Sequence, residues 1–327
     1  MSPEQLFYSG GRVRPIWRFA LAVILIVLAH LAVGIILGLA FGILGGEPQH
    51  ILLWANSALL LALLAIFKML TALLESKPLG SMGLAFGGRW KTELAFGAGL
   101  GAAMILAVAA MEGGLGLARF LWNPIAPRLL LEGGAYYCVL FLIAAAVEEI
   151  TFRGYAFQRL VDAIGPVGAV VILSVAFSMV HLWNPSHSWL STLNTTLVGV
   201  TFAVAYLRTR SLWLPLGMHF AWNLVLGYGL GLPVSGILFS KSLLRADVLG
   251  FPQLTGGNYG PEGGWLATGV ILAVTIYLMF SRRIYISEEM QALALGPAKS
   301  PQESLARGES ALAASSDSPK ISLSGAN

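Results

Sequence analysis

Charge is what this sequence has least of. Only 11% of its 327 residues are Asp, Glu, Lys or Arg, against roughly 25% in soluble globular domains. With 57% hydrophobic residues and a mean hydropathy of +0.76, that scarcity excludes an ordinary soluble protein. Cysteine is almost missing as well. Cys138 alone permits no internal disulfide and no thiolate cluster for a structural zinc, so the redox compartment stays open. The formal charge of +4 does not call for nucleic acid, because the basic residues lie between the apolar runs.

Those runs are what the sequence has in place of charge. Eight apolar stretches can be drawn, at 17–44, 51–70, 94–111, 136–152, 166–183, 189–207, 213–232 and 265–280. Lipid offers backbone groups no hydrogen-bond partner, and the runs are too long and too continuously apolar for barrel strands, so all should be helices. The expected fold is all-α: a polytopic membrane bundle of about eight helices over 1–286, with Trp at the edge of most spans as in an interfacial belt. Placing the N-terminus in the cytoplasm puts sixteen of the twenty Lys and Arg residues on that side, leaving Arg119, Arg128, Lys241 and Arg245 outside. Both termini are then cytoplasmic. The first run, 28 residues long, exceeds the apolar region of a signal peptide and is read as a span. Residues 287–327 lack the apolar pattern and read as a disordered cytoplasmic tail. The outer stretch 233–264, rich in Gly and Pro, reads as a partly ordered cap or a loose connection. Small residues over 97–103 suit close helix packing, and no internal repeat is visible.

Against this background, polar residues inside spans are costly and therefore informative, at about 2.5–3.5 kcal/mol or more each on insertion scales. The fourth span ends in Glu148-Glu149-Ile150-Thr151-Phe152-Arg153. Glu149 and Arg153 lie one turn apart and can pair, whereas Glu148 is rotated about 100° from its neighbour and is left free. The fifth span carries Phe177 and His181, and the seventh His219 and Asn223, each pair on one helix face. Three helices thus each offer polar groups that could converge inside the bundle, and a base, a second group to hold water and donors for an oxyanion are the needs of a hydrolytic site. A structural ion pair would account for Glu149 and Arg153 but not for Glu148. His30, without a polar partner, reads as a packing or helix-bonding residue, and His50 and His187 as solvated.

Several chemistries are missing. No His-Glu-x-x-His occurs and no Gly-x-Ser-x-Gly; Asp is nearly absent from the spans, which removes a paired-aspartate mechanism. A glutamate and histidine site remains. The sequence here resembles the CPBP family of intramembrane proteases, which includes type 2 CAAX prenyl endopeptidases and bacteriocin-processing or self-immunity proteins. Its motifs Glu-Glu-x-x-x-Arg, Phe-x-x-x-His and His-x-x-x-Asn stand at Glu148 to Arg153, Phe177 to His181 and His219 to Asn223, within a motif core over 136–232. The resemblance implies that Glu148 and His181 activate a water, that His219 and Asn223 stabilise the oxyanion, and that Glu149, Arg153 and Phe177 support them. It implies no cofactor. A zinc held by Glu148, His181 and His219 is the alternative that the residues permit, and a non-catalytic immunity, scaffold or transport protein is the competing class. The expected partners are membrane lipid and a protein or peptide substrate, prenylated or membrane-anchored, cut near the cytoplasmic leaflet. One mismatch is evident. Counted along the helices, His181 falls roughly 10 Å deeper than Glu148 and His219 unless the fifth span is tilted or begins about a turn later.

Overall fold

The computed structural model describes residues 3–44 and 48–295. The chain opens with a short helix α1 (Pro3–Phe7) and a small hairpin, β1 (Tyr8–Ser9) and β2 (Arg12–Val13). Long apolar helices follow: α2 (Pro15–Leu44), α3 (Pro48–Leu70) with a π-helical turn to Glu75, and α4 (Trp90–Gly114). Strand β3 (Ala118–Trp122) leads to α5 (Pro127–Arg153), α6 (Tyr155–Ile164), α7 (Pro166–Val180), α8 (Trp189–Thr209) and α9 (Trp213–Asn223), which continues as a π-helical turn, Leu224–Gly229. The chain closes with β4 (Leu244–Val248), α10 (Pro252–Thr255), α11 (Trp265–Phe280) and α12 (Glu288–Leu295). Its last helix lies within the expected tail, and residues from 296 on fall outside the described part.

Five helical segments among the described residues are long and apolar enough to cross a membrane: α2, α3 with its π-turn, α4, α5 with α6, and α8. Helices α7 and α11 are apolar but shorter. The protein is therefore a mostly helical membrane bundle, with five spans of full length among the described residues where eight were expected. Its surface agrees. Along α2, Ile24, Leu28, Leu31, Ile35, Leu39 and Ile43 are exposed, a continuous apolar face that suits lipid and would be costly in water. Cys138 is exposed on α5.

Packing forms two apolar clusters. One gathers α4, α5, α8, α9 and α11 around Ile105, Phe141, Phe202, Met218 and Ile271. The other joins α2, α3 and α6 to α5, α7 and α8 around Leu63, Phe67, Ile150, Tyr155 and Ala203. Helices α5 and α8 belong to both, so residues on them face the space between. Helices α4 and α9 run parallel in near-backbone contact. A Cβ at Gly101 would stand 2.1 Å from the Met218 carbonyl oxygen and one at Gly217 2.3 Å from that of Leu94, so the small-residue stretch 97–103 does serve close approach.

Helix α6 was not expected. Its Gln158, Arg159 and Asp162 interrupt the apolar pattern, and it settles the depth mismatch. Helix α7 begins at Pro166 as drawn and ends at Val180, a rise of about 22 Å. His181 at its end nonetheless stands 3.9 Å from Glu148, because the ten residues of α6 lengthen the path between the two helices. An ion cluster holds α6 in place: Arg18 of α2 and Arg159 of α6 both reach Glu75 at 2.9 and 2.8 Å, and Tyr155 Oη donates to the same carboxylate at 2.9 Å.

The 233–264 connection is an ordered cap. Strands β3 and β4 pair antiparallel from Ala118 opposite Val248 to Trp122 opposite Leu244, and Thr255, Tyr259 and Pro261 are buried.

Candidate active site

Helix α5 sets the acidic side of the site. Glu149 and Arg153 are almost wholly buried and pair at 3.2 Å, as their one-turn spacing predicts. The guanidinium also donates to the Gly199 carbonyl on α8 at 3.1 Å and lies over the Phe177 ring, 4.7 Å from its centroid. A buried cation is costly unless paired and bonded on several sides, and Arg153 has a carboxylate, a carbonyl and an aromatic face. Glu148, one residue earlier, points elsewhere. About a third of its side chain is exposed, and its Oε2 accepts no hydrogen bond from any described residue.

Two imidazoles meet that free oxygen. His219 Nε2 stands 3.7 Å from Glu148 Oε2 and His181 Nε2 3.9 Å from it. Each ring is oriented through its other nitrogen. His181 sits just past the end of α7, its Nδ1 2.7 Å from the Phe177 carbonyl; a carbonyl only accepts, so Nδ1 is the donor of that pair and Nε2 is the nitrogen turned to Glu148. His219 Nδ1 lies 2.9 Å from Glu149 Oε1, so Glu149 serves Arg153 and His219 together. Phe177 contacts the His181 ring at 4.6 Å between centroids, and Phe202 of α8 stacks on His219 at 5.1 Å. Asn223 closes α9 and lines the same cavity.

Residues 132–225 match the Type II CAAX prenyl endopeptidase Rce1-like family model. No curated protein and no solved structure matches the chain. This Rce1-like segment runs from α5 to the residues just past Asn223, so it contains all three motifs and nearly coincides with the motif core at 136–232. Helices α2 to α4 and the 233–264 cap lie outside it.

Those outside elements nonetheless help to enclose the site, in a cavity of about 780 Å³. Helices α2 and α3 contribute a mostly apolar wall that includes Val23, Val27, Leu52 and Leu59. His30 lines it too, its Nδ1 bonded to the Ile26 carbonyl at 2.8 Å as a helix-bonding residue, while His187 is exposed. Motif reasoning missed Phe202 and Glu262, and it weighed Ser235 only as a nucleophile without a histidine to activate it. Phe202 looks like any apolar helix residue, and an acid in a loop such as 233–264 carries no warning. In the structure Glu262 lines the cavity, and burial pushes its carboxyl above the usual carboxylate range while bonds from Ser235 and Trp222 pull it back.

Glu148, His181 and His219 would be the donors for a zinc ion. Tetrahedral zinc, bonded at about 2.0–2.1 Å, holds its donors roughly 3.3 Å apart, closer than the 3.7 and 3.9 Å seen here. Among the described residues no three His, Cys, Asp or Glu side chains are grouped to hold a metal ion. As arranged, the set does not fit a metal, and what it offers is a free carboxylate between two oriented imidazoles.

Proposed function

We propose that the chain is an intramembrane endopeptidase in which Glu148 and His181 activate a water that attacks a peptide carbonyl. The observation that supports this best is the convergence of two imidazole Nε2 atoms on the one carboxylate oxygen that the Glu149–Arg153 pair leaves unused. Separations of 3.7 and 3.9 Å are too long for direct hydrogen bonds but suit a shared water about 2.8 Å from each atom. Glu148 takes a proton as the oxygen adds to the carbonyl carbon. When the C–N bond breaks, that proton passes to the departing amine.

The two histidines then have different tasks. His181 Nε2 is an acceptor and orients the water. His219 can serve the oxyanion only with a proton on Nε2, hence as an imidazolium, and the carboxylate at its Nδ1 suits that form. Asn223 adds a neutral donor from the next turn of α9. The substrate's apolar part, a prenyl group or a membrane anchor, lies along the α2 and α3 wall. With both termini cytoplasmic, the cut falls near the cytoplasmic leaflet.

The test is cleavage of membrane-anchored and prenylated peptide reporters by purified protein in detergent. Glu148→Gln and His181→Ala are each expected to abolish turnover while circular dichroism and the elution profile stay those of the wild type. Full turnover in either variant would sink the assignment.

A further inference from the structure

Every motif residue sits on or at the end of α5, α7 or α9, yet part of the cavity wall comes from the 233–264 cap. Glu262, in a tight turn at Pro261–Gly263, is the point where that cap grips the bundle. Its carboxylate takes three donors: Trp222 Nε1 at 2.9 Å on Oε1, and Ser235 N and Oγ at 2.6 and 2.9 Å on Oε2. Its own carbonyl accepts from Asn194 Nδ2 of α8 at 2.8 Å, and that amide also reaches the Gly264 carbonyl at 3.0 Å. Asn194 is fully buried and accepts in turn from Thr268 at 2.7 Å. Helices α8 and α9, the turn after Leu232 and the start of α11 therefore meet on one side chain and its backbone.

The grip falls beside the chemistry. Trp222 immediately precedes Asn223, the last residue of α9 before the backbone widens into the π-turn Leu224–Gly229. Such turns are rare and poorly self-supporting, and they recur at functional sites. Here the indole of Trp222, nearly buried, carries support from outside the helix. Ser235, Glu262, Asn223 and His181 all line the one cavity. A half-buried carboxylate hydrogen-bonded only by neutral donors is a costly choice for packing alone, and an apolar side chain would fill the same space at less cost.

We propose that Glu262 is a positioning residue of the hydrolytic site: by clamping Trp222 and Ser235 it fixes Asn223 and the adjoining cavity wall from a segment that carries none of the three motifs. This role rests on the hydrolytic reading above. Trp222→Phe keeps an aromatic ring but removes the donor to Oε1. Glu262→Gln keeps the shape but replaces an acceptor by a donor, so at least one of the three bonds is lost. With full-length protein and a reporter that the wild type cuts, each variant is expected to lower kcat by about 10- to 100-fold, the scale of a misplaced catalytic group. KM should stay within about twofold. The double variant should lose less than the two single losses combined, because both changes loosen the one clamp. A purely structural contact would instead lower the melting temperature and leave kcat per folded molecule unchanged. Should Glu262→Gln fail to fold, Trp222→Phe and Ser235→Ala, which deletes a single hydroxyl, carry the test. Undiminished kcat in those two, or losses that add in the double variant, overturns the role of Glu262 while the hydrolytic reading stands. A wild type that cuts no reporter overturns that reading and the role with it.

Discussion

Glu149 shows how much one side chain can hold. Buried between Arg153 at 3.2 Å and His219 at 2.9 Å, it neutralises one and aims the other. Glu149→Gln is expected to cost about 3–5 kcal/mol, the usual penalty for leaving one member of a buried ion pair alone. The melting temperature and the yield of folded protein should fall together with activity, whereas Glu148→Gln should cost activity alone; equal stability in the two variants would remove the distinction between the adjacent acids. Asn223→Ala probes the opposite end of the site. Losing one oxyanion donor lowers kcat by about 10²–10³, or roughly 2.7–4 kcal/mol, with little change in KM. A variant that keeps kcat but binds reporter poorly would make Asn223 a substrate contact instead. At this scale the sequence pointed to a cluster, because Glu148, Glu149, Arg153, His181 and His219 stand in or beside three separate apolar runs and meet in the structure, whereas the lone His30 only bonds its own helix. Glu262 escaped notice for the converse reason: acids are ordinary in loops, and only the fold shows that this one lines the cavity beside the site.

Helices were harder to delimit than residues. Helix α5 begins nine residues before its apolar stretch at 136, since Arg128 and Glu132 in its first two turns hide the helix from a hydropathy reading, although they pair at 2.8 Å on its surface. Helix α6 was invisible because its polar residues serve an ion cluster and leave no lipid-facing run. The close pairing of α4 and α9, by contrast, was foreshadowed by the small residues over 97–103. It matters for the chemistry, since α9 carries His219 and Asn223. Gly101→Ala, whose new methyl would stand 2.1 Å from the Met218 carbonyl, is expected to push α9 away and destabilise by at least about 1–3 kcal/mol. Gly99→Ala, which meets nothing within 4 Å, should be neutral or stabilising by up to about 1 kcal/mol. Thermal melts of the pair in one detergent decide it; equal destabilisation would mean that close contact is not what Gly101 provides.

For the whole molecule, the site occupies the seam between two apolar clusters, and α5 and α8 are the two helices common to both. A seam can hold a cavity of about 780 Å³ without hollowing either core. The oriented carboxylate and imidazoles predict that cleavage persists after exhaustive chelation and that elemental analysis finds no stoichiometric zinc. About one zinc per chain, lost and regained together with activity, would favour the metal alternative. The exposed position of Cys138 on α5 has a separate use. As the one thiol in the chain, it accepts a nitroxide or a fluorophore without any engineered background, ten residues and so about 15 Å along the same helix from Glu148. Collisional quenching of that probe by oxygen in the acyl region and by a water-soluble relaxant would turn α5 into a depth gauge for the scissile bond. The ruler is already built into the helix that carries Glu148, the base of the proposed reaction.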